Sequence, residues 1–240
     1  MTINSLNNSK IMLLKKLYGK KYRDEEKMFV VEGEHLVNEA SKTALLKEVY
    51  VVEGNNYEYQ NVNYVTEDVM KKITSLESIP SIIGLCTMVG NTISGNKILM
   101  LDNIQDPGNL GTIIRSAVAF NIETIIVSND TVDMYNPKVL RSTQGMNFHL
   151  NIVVADLKES IMNLKYKDFI IYGTSLNNKT DLRNIKVSDK YALIMGNEGQ
   201  GIKEDLLQLC DENIYIKMNQ DCESLNVGVA TGIILYELDK

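Results

Sequence analysis

The sequence predicts an α/β protein in which strands alternate with helices along most of the chain. Short apolar runs, such as the Ile-Leu-Met-Leu of residues 98–101, are typical of strands buried on both faces of a parallel sheet. Segments of helical periodicity follow most of these runs, and that order favours a mostly parallel sheet with helices on both faces. A chain of 240 residues has room for one large domain or two small ones.

The N-terminal part is predicted to form a small α/β unit. Ser9 can cap a helix over residues 10–18, whose apolar side chains share one face. The elements expected next are a strand at 28–31, a helix at 34–42, a strand at 48–52, a helix at 67–73 and a strand at 82–89. Two glycines among small polar residues at 90–96 predict a linker. The expected domains are therefore residues 1–92 and 97–240.

A longer alternation of strands and helices begins after the linker. Strands are expected at 98–101, 124–127, 152–154, 169–172, 192–195 and 214–217. Helices are expected at 110–120, 137–144, 158–164, 202–209 and 225–238. Because ligands of an open parallel sheet bind beyond the carboxyl ends of its strands, the turns that follow these strands are the candidates for a functional site.

Charge is unevenly distributed along the chain. The formal net charge of −6 argues against a protein that coats nucleic acid by bulk charge. The first 23 residues nevertheless contain six cations and no acid, which leaves −12 for the remainder. Such a segment is either a solvated helix face or a surface that contacts phosphates. Its cations are Lys10, Lys15, Lys16, Lys20, Lys21 and Arg23.

Several classes of protein are disfavoured by composition. Cys86, Cys210 and Cys222 form no CxxC pair, and the apolar stretch at 11–14 is too short for a signal peptide, so we expect reduced thiols in a cytoplasmic protein. No apolar run approaches the roughly 18 residues of a membrane span. Because the chain has only two histidines, a His-rich zinc site is not expected, and we expect no metal.

Three of the expected strands end in turns rich in Gly, Asn and acidic residues, at 102–111, 196–201 and 217–227. Glycine lets the backbone approach a ligand closely. The dinucleotide fingerprint GxGxxG and the phosphate loop GxxxxGK[ST] are both absent, which disfavours a nucleotide-binding oxidoreductase. Asn109, Ser224 and Asn226 either cap helices or line a site, whereas Glu198 lies between glycines and is the weaker candidate for a cap.

The same three turns carry a resemblance to a known family. The segments DPGNLGTIIRSA at 106–117, IMGNEGQG at 194–201 and ESLNV at 223–227 resemble, in order and spacing, the signature motifs of the SpoU (TrmH-type) RNA 2′-O-ribose methyltransferases of the SPOUT class. NPKVLRS at 136–142 resembles the family's intermediate segment. FVVEG at 29–33 resembles its small substrate-binding domain, which is similar to a ribosomal RNA-binding protein fold.

The resemblance implies a specific fold, cofactor and assembly. The C-terminal parallel sheet would contain a deep trefoil knot, S-adenosylmethionine would bind in the knot, and the protein would be a homodimer. The residues implied in cofactor binding are Gly196, Asn197, Ile216, Met218 and Leu225. Those implied in catalysis are Asn109, Arg115, Glu198, Ser224 and Asn226. The expected RNA contacts are Lys15, Lys16, Lys20, Lys21, Arg23 and Arg141.

The implied reaction is methylation of a ribose 2′-hydroxyl in structured RNA. We expect ribosomal RNA as the substrate, and transfer RNA is the alternative. A guanidinium is a poor proton acceptor, so we expect Arg115 to bind an RNA phosphate and activate the hydroxyl rather than act as a base. Asn109 would orient Arg115 or the ribose, and Glu198 would hold Arg115 or an amide of the knot loop. Three residues of the third motif depart from the family pattern, namely Lys217, Gln220 and Gly228. A relative that binds RNA or methyl donor without catalysis is the alternative.

Overall fold

The computed structural model describes residues 2–90, 92–175 and 180–240. By their contacts, they form two compact units. The first unit contains Met1–Gly90 and Asp133–Phe148, and the second contains Asn91–Val132 and His149–Lys240. Two residues of the predicted N-terminal domain, Met1 and the linker residue Asn91, lie outside the described residues.

The α-helices within the described residues are α1 (Ser9–Lys16), α2 (Lys20–Glu26), α3 (Glu34–Ser41), α4 (Glu67–Ile73), α5 (Pro107–Ala119), α6 (Pro137–Thr143), α7 (Leu157–Lys165), α8 (Glu204–Leu207) and α9 (Val227–Leu238). The strands are β1 (Met28–Glu32), β2 (Leu46–Val52), β3 (Val62–Val65), β4 (Ile82–Thr87), β5 (Lys97–Leu101), β6 (Thr124–Val127), β7 (Asn151–Val154), β8 (Ile170–Thr174), β9 (Thr180–Asp181), β10 (Tyr191–Met195) and β11 (Glu212–Tyr215).

The first unit is built on a four-stranded sheet of order β1-β4-β2-β3, in which only the β2–β3 pair is parallel. Successive strand residues face opposite sides of a sheet, and here each side has its own core. Val30 of β1 packs with apolar residues of α1 and α4, whereas Phe29 and Val31 pack with α3. The sheet is therefore covered on both faces, and the first unit is the small α/β unit that the sequence predicts.

Residues 133–148 pack with the first unit, although the predicted boundaries place them in the second domain. The reason is apolar burial: Leu140 of α6 is fully buried in the cluster that contains Phe29 and Val31. The ring of Tyr135 lies 4.6 Å from that of Phe29. A boundary drawn from the order of elements cannot anticipate this packing, because the contacts join residues about 100 positions apart.

The N-terminal helix differs from its prediction in two details. Its cap is Asn8, whose side chain accepts a hydrogen bond from the backbone N–H of Lys10, and not Ser9. It ends at Lys16, before the predicted end at residue 18, and a second helix, α2, follows where the sequence predicted no element. Residues 17–19 separate the two helices, and Gly19 has no side chain to cap the second one.

The second unit confirms the predicted parallel sheet. Its strands follow the order β7-β6-β5-β10-β8-β11-β9, and every adjacent pair is parallel. The central strand β10 is buried at all five positions, which agrees with its continuous apolar sequence. The short strands β3 and β9 were not predicted, and α8 is shorter than expected. No helix among the described residues has the length and apolar character needed to span a membrane.

Candidate active site

A cavity of about 430 Å³ opens at the carboxyl ends of β8, β10 and β11 in the second unit. This is the end at which parallel sheets bind ligands, and the volume lies in the usual range for small-molecule sites, about 300–1,000 Å³. The residues predicted to bind the cofactor all line the cavity: Gly196, Asn197, Ile216, Met218 and Leu225.

The wall formed by residues 196–201 depends on glycine. A Cβ added to Gly196 would lie 2.2 Å from the backbone carbon of Gly201 and from the nitrogen of Ile202, so no larger residue fits there. Asn197 and Gly201 exchange two backbone hydrogen bonds of 3.0 Å. The Asn197 side chain also accepts from the N–H groups of Gly199 and Gln200. The turn is therefore closed on itself beside the cavity.

The chemistry of the lining fits S-adenosylmethionine. Apolar side chains such as Ile216, Leu225 and Ile234 offer surface for an adenine ring and an aliphatic chain, while the tight turn supplies backbone polar groups. Glu198 and Glu223 also line the cavity and provide negative charge for a cationic sulfonium or ammonium group. The backbone and the residue types present thus suit this cofactor.

Three side chains from the three motifs form one hydrogen-bonded network. Asn226 donates from Nδ2 to Oδ1 of Asn109 at 2.8 Å, and Asn109 donates from Nδ2 to Oε1 of Glu198 at 3.0 Å. Asn226 also caps α9, because its Oδ1 accepts from the N–H groups of Gly228 and Val229. The network therefore fixes the starts of α5 and α9 against the glycine turn.

Glu198 is the acceptor at the end of this network. Besides Asn109, it accepts from the backbone N–H groups of Gln105 and Asp106 at 3.4 and 3.3 Å. Partial burial opposes ionisation, but these hydrogen bonds prevail and hold the pKa of Glu198 below its usual value. The backbone amides that Glu198 holds belong to the turn before α5, and its predicted contact with Arg115 is not made.

Arg115 stands apart from the network. It lies on α5 and is exposed to solvent. Within the described part of the chain, its guanidinium makes no hydrogen bond or ion pair with protein groups, and it does not line the cavity. Ser224 does line the cavity. The arrangement leaves all the donors of Arg115 available to a ligand outside the protein.

Sequence reasoning missed Asp102, which is 1% exposed at the end of β5. Its Oδ2 accepts from the backbone N–H of Lys203 at 2.9 Å, and its carboxylate pairs with the Lys203 ammonium. These contacts tie the end of β5 to the residue before α8, and so hold the far end of the glycine turn. An acid directly after a buried apolar strand was the available signal, because such a group must find partners.

The departures from the family pattern do not intrude on the cavity. Lys217 and Gln220 are exposed and lie outside its lining. Gly228 is buried in the first turn of α9, where an added Cβ would lie 3.0 Å from Cγ2 of Thr112. A glycine at this position therefore permits close packing of α9 on α5.

The predicted RNA contacts differ in exposure and fall into three groups. Lys15, Lys16, Lys20 and Lys21 are exposed. Arg23 is not: it is 4% exposed, it donates to the carbonyl oxygens of Leu17 and Tyr18, and it pairs with Asp133. A buried arginine with these partners cannot reach a phosphate, so Arg23 is removed from the set. Arg141 is partly exposed and pairs with Glu32.

No group of three or more His, Cys, Asp or Glu side chains within residues 2–90, 92–175 and 180–240 is arranged to hold a metal ion.

Comparison with known proteins places the chain in a family. The model of the SpoU rRNA Methylase family matches residues 96–236, and that of the MRM3-like substrate binding domain matches residues 8–84. The 23S rRNA (guanosine(2553)-2′-O)-methyltransferase RlmP of Bacillus subtilis (strain 168) is 37% identical over 243 residues, which cover 98% of this chain and 98% of the relative.

Solved structures agree with this result. An rRNA methyltransferase from Sinorhizobium meliloti with bound S-adenosylmethionine superposes with a TM-score of 0.86 at 28% identity, over 99% of this chain and 97% of the other. The SpoU methyltransferase AviRb from Streptomyces viridochromogenes gives a TM-score of 0.86 at 22% identity over 97% of each chain, a likeness of fold. On the family match and the full-length relative, the chain belongs to the SpoU rRNA methylase family.

Proposed function

We propose that this protein transfers a methyl group from S-adenosylmethionine to a ribose 2′-hydroxyl of 23S ribosomal RNA. One observation carries the proposal: the cavity is lined by every residue expected to bind the cofactor, and Glu198 on its wall is linked to Asn109 and Asn226. The choice of RNA follows the full-length relative, which is named for a 23S rRNA 2′-O-methylation.

The chemistry asks mainly for alignment. S-adenosylmethionine supplies a methyl group that is already activated, so the protein must hold the 2′-oxygen in line with it and exclude competing water. The 2′-hydroxyl also has to release its proton, which passes to bulk solvent, as the new bond forms. Arg115 binds the phosphate beside the target ribose, and its positive charge lowers the pKa of that hydroxyl. Arg115 itself keeps its proton, because a guanidinium is not deprotonated in proteins.

The remaining residues position the loops around the reacting groups. Glu198 and Asn109 hold the turn before α5, and so they fix the helix that carries Arg115. Asn226 holds the start of α9 to the same point. Ser224, on the cavity wall, supplies a hydroxyl to the substrate side of the site. Only preorganised groups can stabilise a transition state without rearranging during the reaction.

We also propose a homodimer, a C-terminal trefoil knot and an RNA-binding role for the four exposed lysines of the N-terminal segment. The dimer is supported by α9, where Val229, Ile233 and Tyr236 are 51%, 38% and 63% exposed. These residues follow a spacing of four and three, so they form one apolar stripe on the helix. Leu235 and Leu238 of the same helix are buried in the chain's own core.

Methyl transfer to defined RNAs tests the function. The purified protein is incubated with labelled S-adenosylmethionine and unmethylated transcripts of 23S rRNA, 16S rRNA and tRNA. We expect label in 23S rRNA alone, and ribose-methylation mapping of RNA from cells with and without the gene should identify one nucleotide. Label in tRNA alone would overturn the choice of substrate. Binding of donor and RNA without transfer would identify a non-catalytic relative.

A further inference from the structure

The four arginines of the chain differ in which edge of the guanidinium is occupied. The Nε–Nη2 edge presents two parallel N–H groups that match two oxygens of a phosphate or carboxylate. In Arg183 this edge is filled, because Nε and Nη2 donate to the two carboxylate oxygens of Asp181 at 3.0 and 2.6 Å. In Arg23 the guanidinium is buried, so its Nε–Nη2 edge is closed to solvent, and Nη2 pairs with Asp133. Arg115 and Arg141 are left.

Arg141 is held by one nitrogen only. Its Nη1 donates to Oε2 of Glu32 at 3.3 Å and to Oγ of Ser75 at 3.1 Å. Its side chain remains 32% exposed, and its Nε and Nη2 make no hydrogen bond with other described residues. The edge suited to a phosphate is therefore open while the opposite nitrogen is anchored.

The anchor is a carboxylate built into the first unit. The Glu32 side chain is 3% exposed and lies at the end of β1. Its Oε1 accepts from the Tyr18 hydroxyl at 2.9 Å and from the Thr74 hydroxyl at 2.6 Å. Ser75 donates from its backbone N–H and from its Oγ, at 2.8 and 2.6 Å. A buried carboxylate with this many donors is fixed in place and stays available to one cation.

The neighbouring groups support the same arrangement. Burial and the charge of Glu32 raise the pKa of Tyr18, so its hydroxyl stays protonated and continues to donate. Ser75 Oγ accepts from Arg141 while donating to Glu32, and so it links the two charged groups. The backbone of Arg141 is held as well, because Leu140 beside it is 1% exposed in the core.

We propose that Arg141, held at Nη1 by Glu32, is a binding site for a phosphate of the RNA backbone. The proposal rests on the proposed function, because the RNA that supplies the phosphate is the methylation substrate. Arg141 makes the contact with its Nε–Nη2 edge, and Glu32 is a positioning residue that acts only through Arg141. Neutral partners of Glu32 saturate its other lone pairs, so the charge of Glu32 is directed to the arginine.

The test compares Arg141→Lys, Glu32→Gln and the double variant by affinity for an unmethylated 23S rRNA transcript across a salt series. Arg141→Lys keeps the positive charge but loses the two parallel N–H groups of the Nε–Nη2 edge. We therefore expect RNA binding to be about tenfold weaker, with an unchanged slope of log affinity against log salt. Glu32→Gln alone should weaken RNA binding by a similar factor. The double variant should bind no more weakly than Arg141→Lys alone. Arg183→Lys is the matched control, because its edge is already filled, and it should bind as the wild type does.

Several outcomes overturn the proposal. Normal RNA binding by Arg141→Lys would show that the edge is not used, and additive losses would show that Glu32 acts otherwise than through Arg141. If Glu32→Gln does not melt cooperatively, Ser75→Ala replaces it, since Ser75 links the same pair, and the same absence of additivity is required. If the wild type methylates 23S rRNA and Arg141→Lys binds that RNA normally, only the proposal about Arg141 is rejected. If the wild type neither binds nor methylates that RNA, the proposed function is rejected as well.

Discussion

Asn226 donates a hydrogen bond of 2.8 Å to Asn109, a residue 117 positions earlier in the chain. Because Asn109 then donates to Glu198, three motifs that are far apart in sequence meet in one chain of side chains. Each asparagine uses both ends of its amide, one as donor and one as acceptor. Aspartate would lose the donor and alanine would lose both, so the residue type at each position is closely constrained.

Replacement of Arg115 tests whether this residue acts on the RNA substrate and not on the methyl donor, S-adenosylmethionine. Arg115 is exposed, lies outside the cavity and makes no hydrogen bond within the described residues. We therefore expect Arg115→Ala to reduce methyl transfer by about 100-fold or more while donor affinity stays within about twofold. Calorimetric titration of donor and single-turnover methylation measure the two effects. A tenfold loss of donor affinity with normal turnover at saturating donor would contradict this division, and Arg183→Ala serves as control.

The glycine turn should tolerate a methyl group at one position and not at another. In Gly196→Ala the new Cβ would meet the backbone of Gly201 and Ile202 at 2.2 Å, so the cavity wall must move. We expect donor affinity to fall at least tenfold, measured by calorimetry. The matched variant Gly199→Ala has only an ordinary contact, 3.8 Å from Oδ1 of Asn197, and should bind nearly normally. Equal affinities for the two variants would contradict the assigned role of Gly196.

The lowered pKa of Glu198 predicts how the stability of the fold depends on pH. Its pKa is lower in the folded protein than the ordinary value of a glutamate, because hydrogen bonds from Asn109 and from backbone N–H groups outweigh partial burial. A lowered folded pKa contributes stability that is complete above the unfolded pKa and is lost as pH falls through the folded value. The excess stability of the wild type over Glu198→Gln should therefore shrink below about pH 4.5.

Chemical denaturation of the wild type and Glu198→Gln from pH 3 to 7 measures this difference. Asn109→Ala removes one of the donors that lower the pKa, so it should reduce the pH dependence. If the free energy of unfolding depends on pH in the same way for the wild type and Glu198→Gln, ionisation of Glu198 does not stabilise the fold.

The exposed stripe on α9 predicts a homodimer. We expect the wild type to show the mass of two chains by light scattering at micromolar concentration, and Ile233→Glu with Tyr236→Glu to shift it to one chain, because two buried charges disfavour the interface. Tyr166→Glu is the control, since Tyr166 is 91% exposed and lies directly after α7, away from the stripe on α9. A monomeric wild type would refute the assembly, and a control that also dissociates would place the interface elsewhere.

The N-terminal lysines should contribute to RNA binding through charge alone. Each phosphate contact adds roughly 0.7–0.9 to the slope of log affinity against log salt. Changing Lys15, Lys16, Lys20 and Lys21 to Gln should therefore weaken rRNA binding and flatten that slope by up to about 3. Donor binding should not change, because the cavity lies in the other unit.

A matched variant removes four exposed lysines of the second unit, Lys158, Lys167, Lys186 and Lys190. It loses the same charge, so a slope that changes only for the N-terminal variant identifies a local contact. An unchanged slope in the N-terminal variant would leave those lysines as a solvated helix face.

Much of the fold follows from local pattern. The continuous apolar runs predicted the buried strands of the parallel sheet, and the spacing of residues 67–73 matched α4. The elements that the sequence did not predict are ones that tertiary contacts stabilise. β3 is only four residues long and pairs with β2, and α2 has no side-chain cap but is anchored by the buried Arg23. Asn8 and Ser9 are both good capping residues, so only the backbone conformation decided between them.

Local sequence predicted the parallel sheet and the three turns at its strand ends, because these depend on hydrophobic pattern and on residue types in turns. The resemblance of those turns to the family motifs then indicated the residues that line the cavity. The role of each charged side chain, in contrast, depends on the tertiary structure. Arg23, Arg115 and Arg141 are the same residue type, yet one is buried, one is unpaired among the described residues and one is anchored. Burial and pairing are set by residues such as Asp133 and Glu32, which lie more than 100 positions away from their partners. Local periodicity carries no record of contacts at that range.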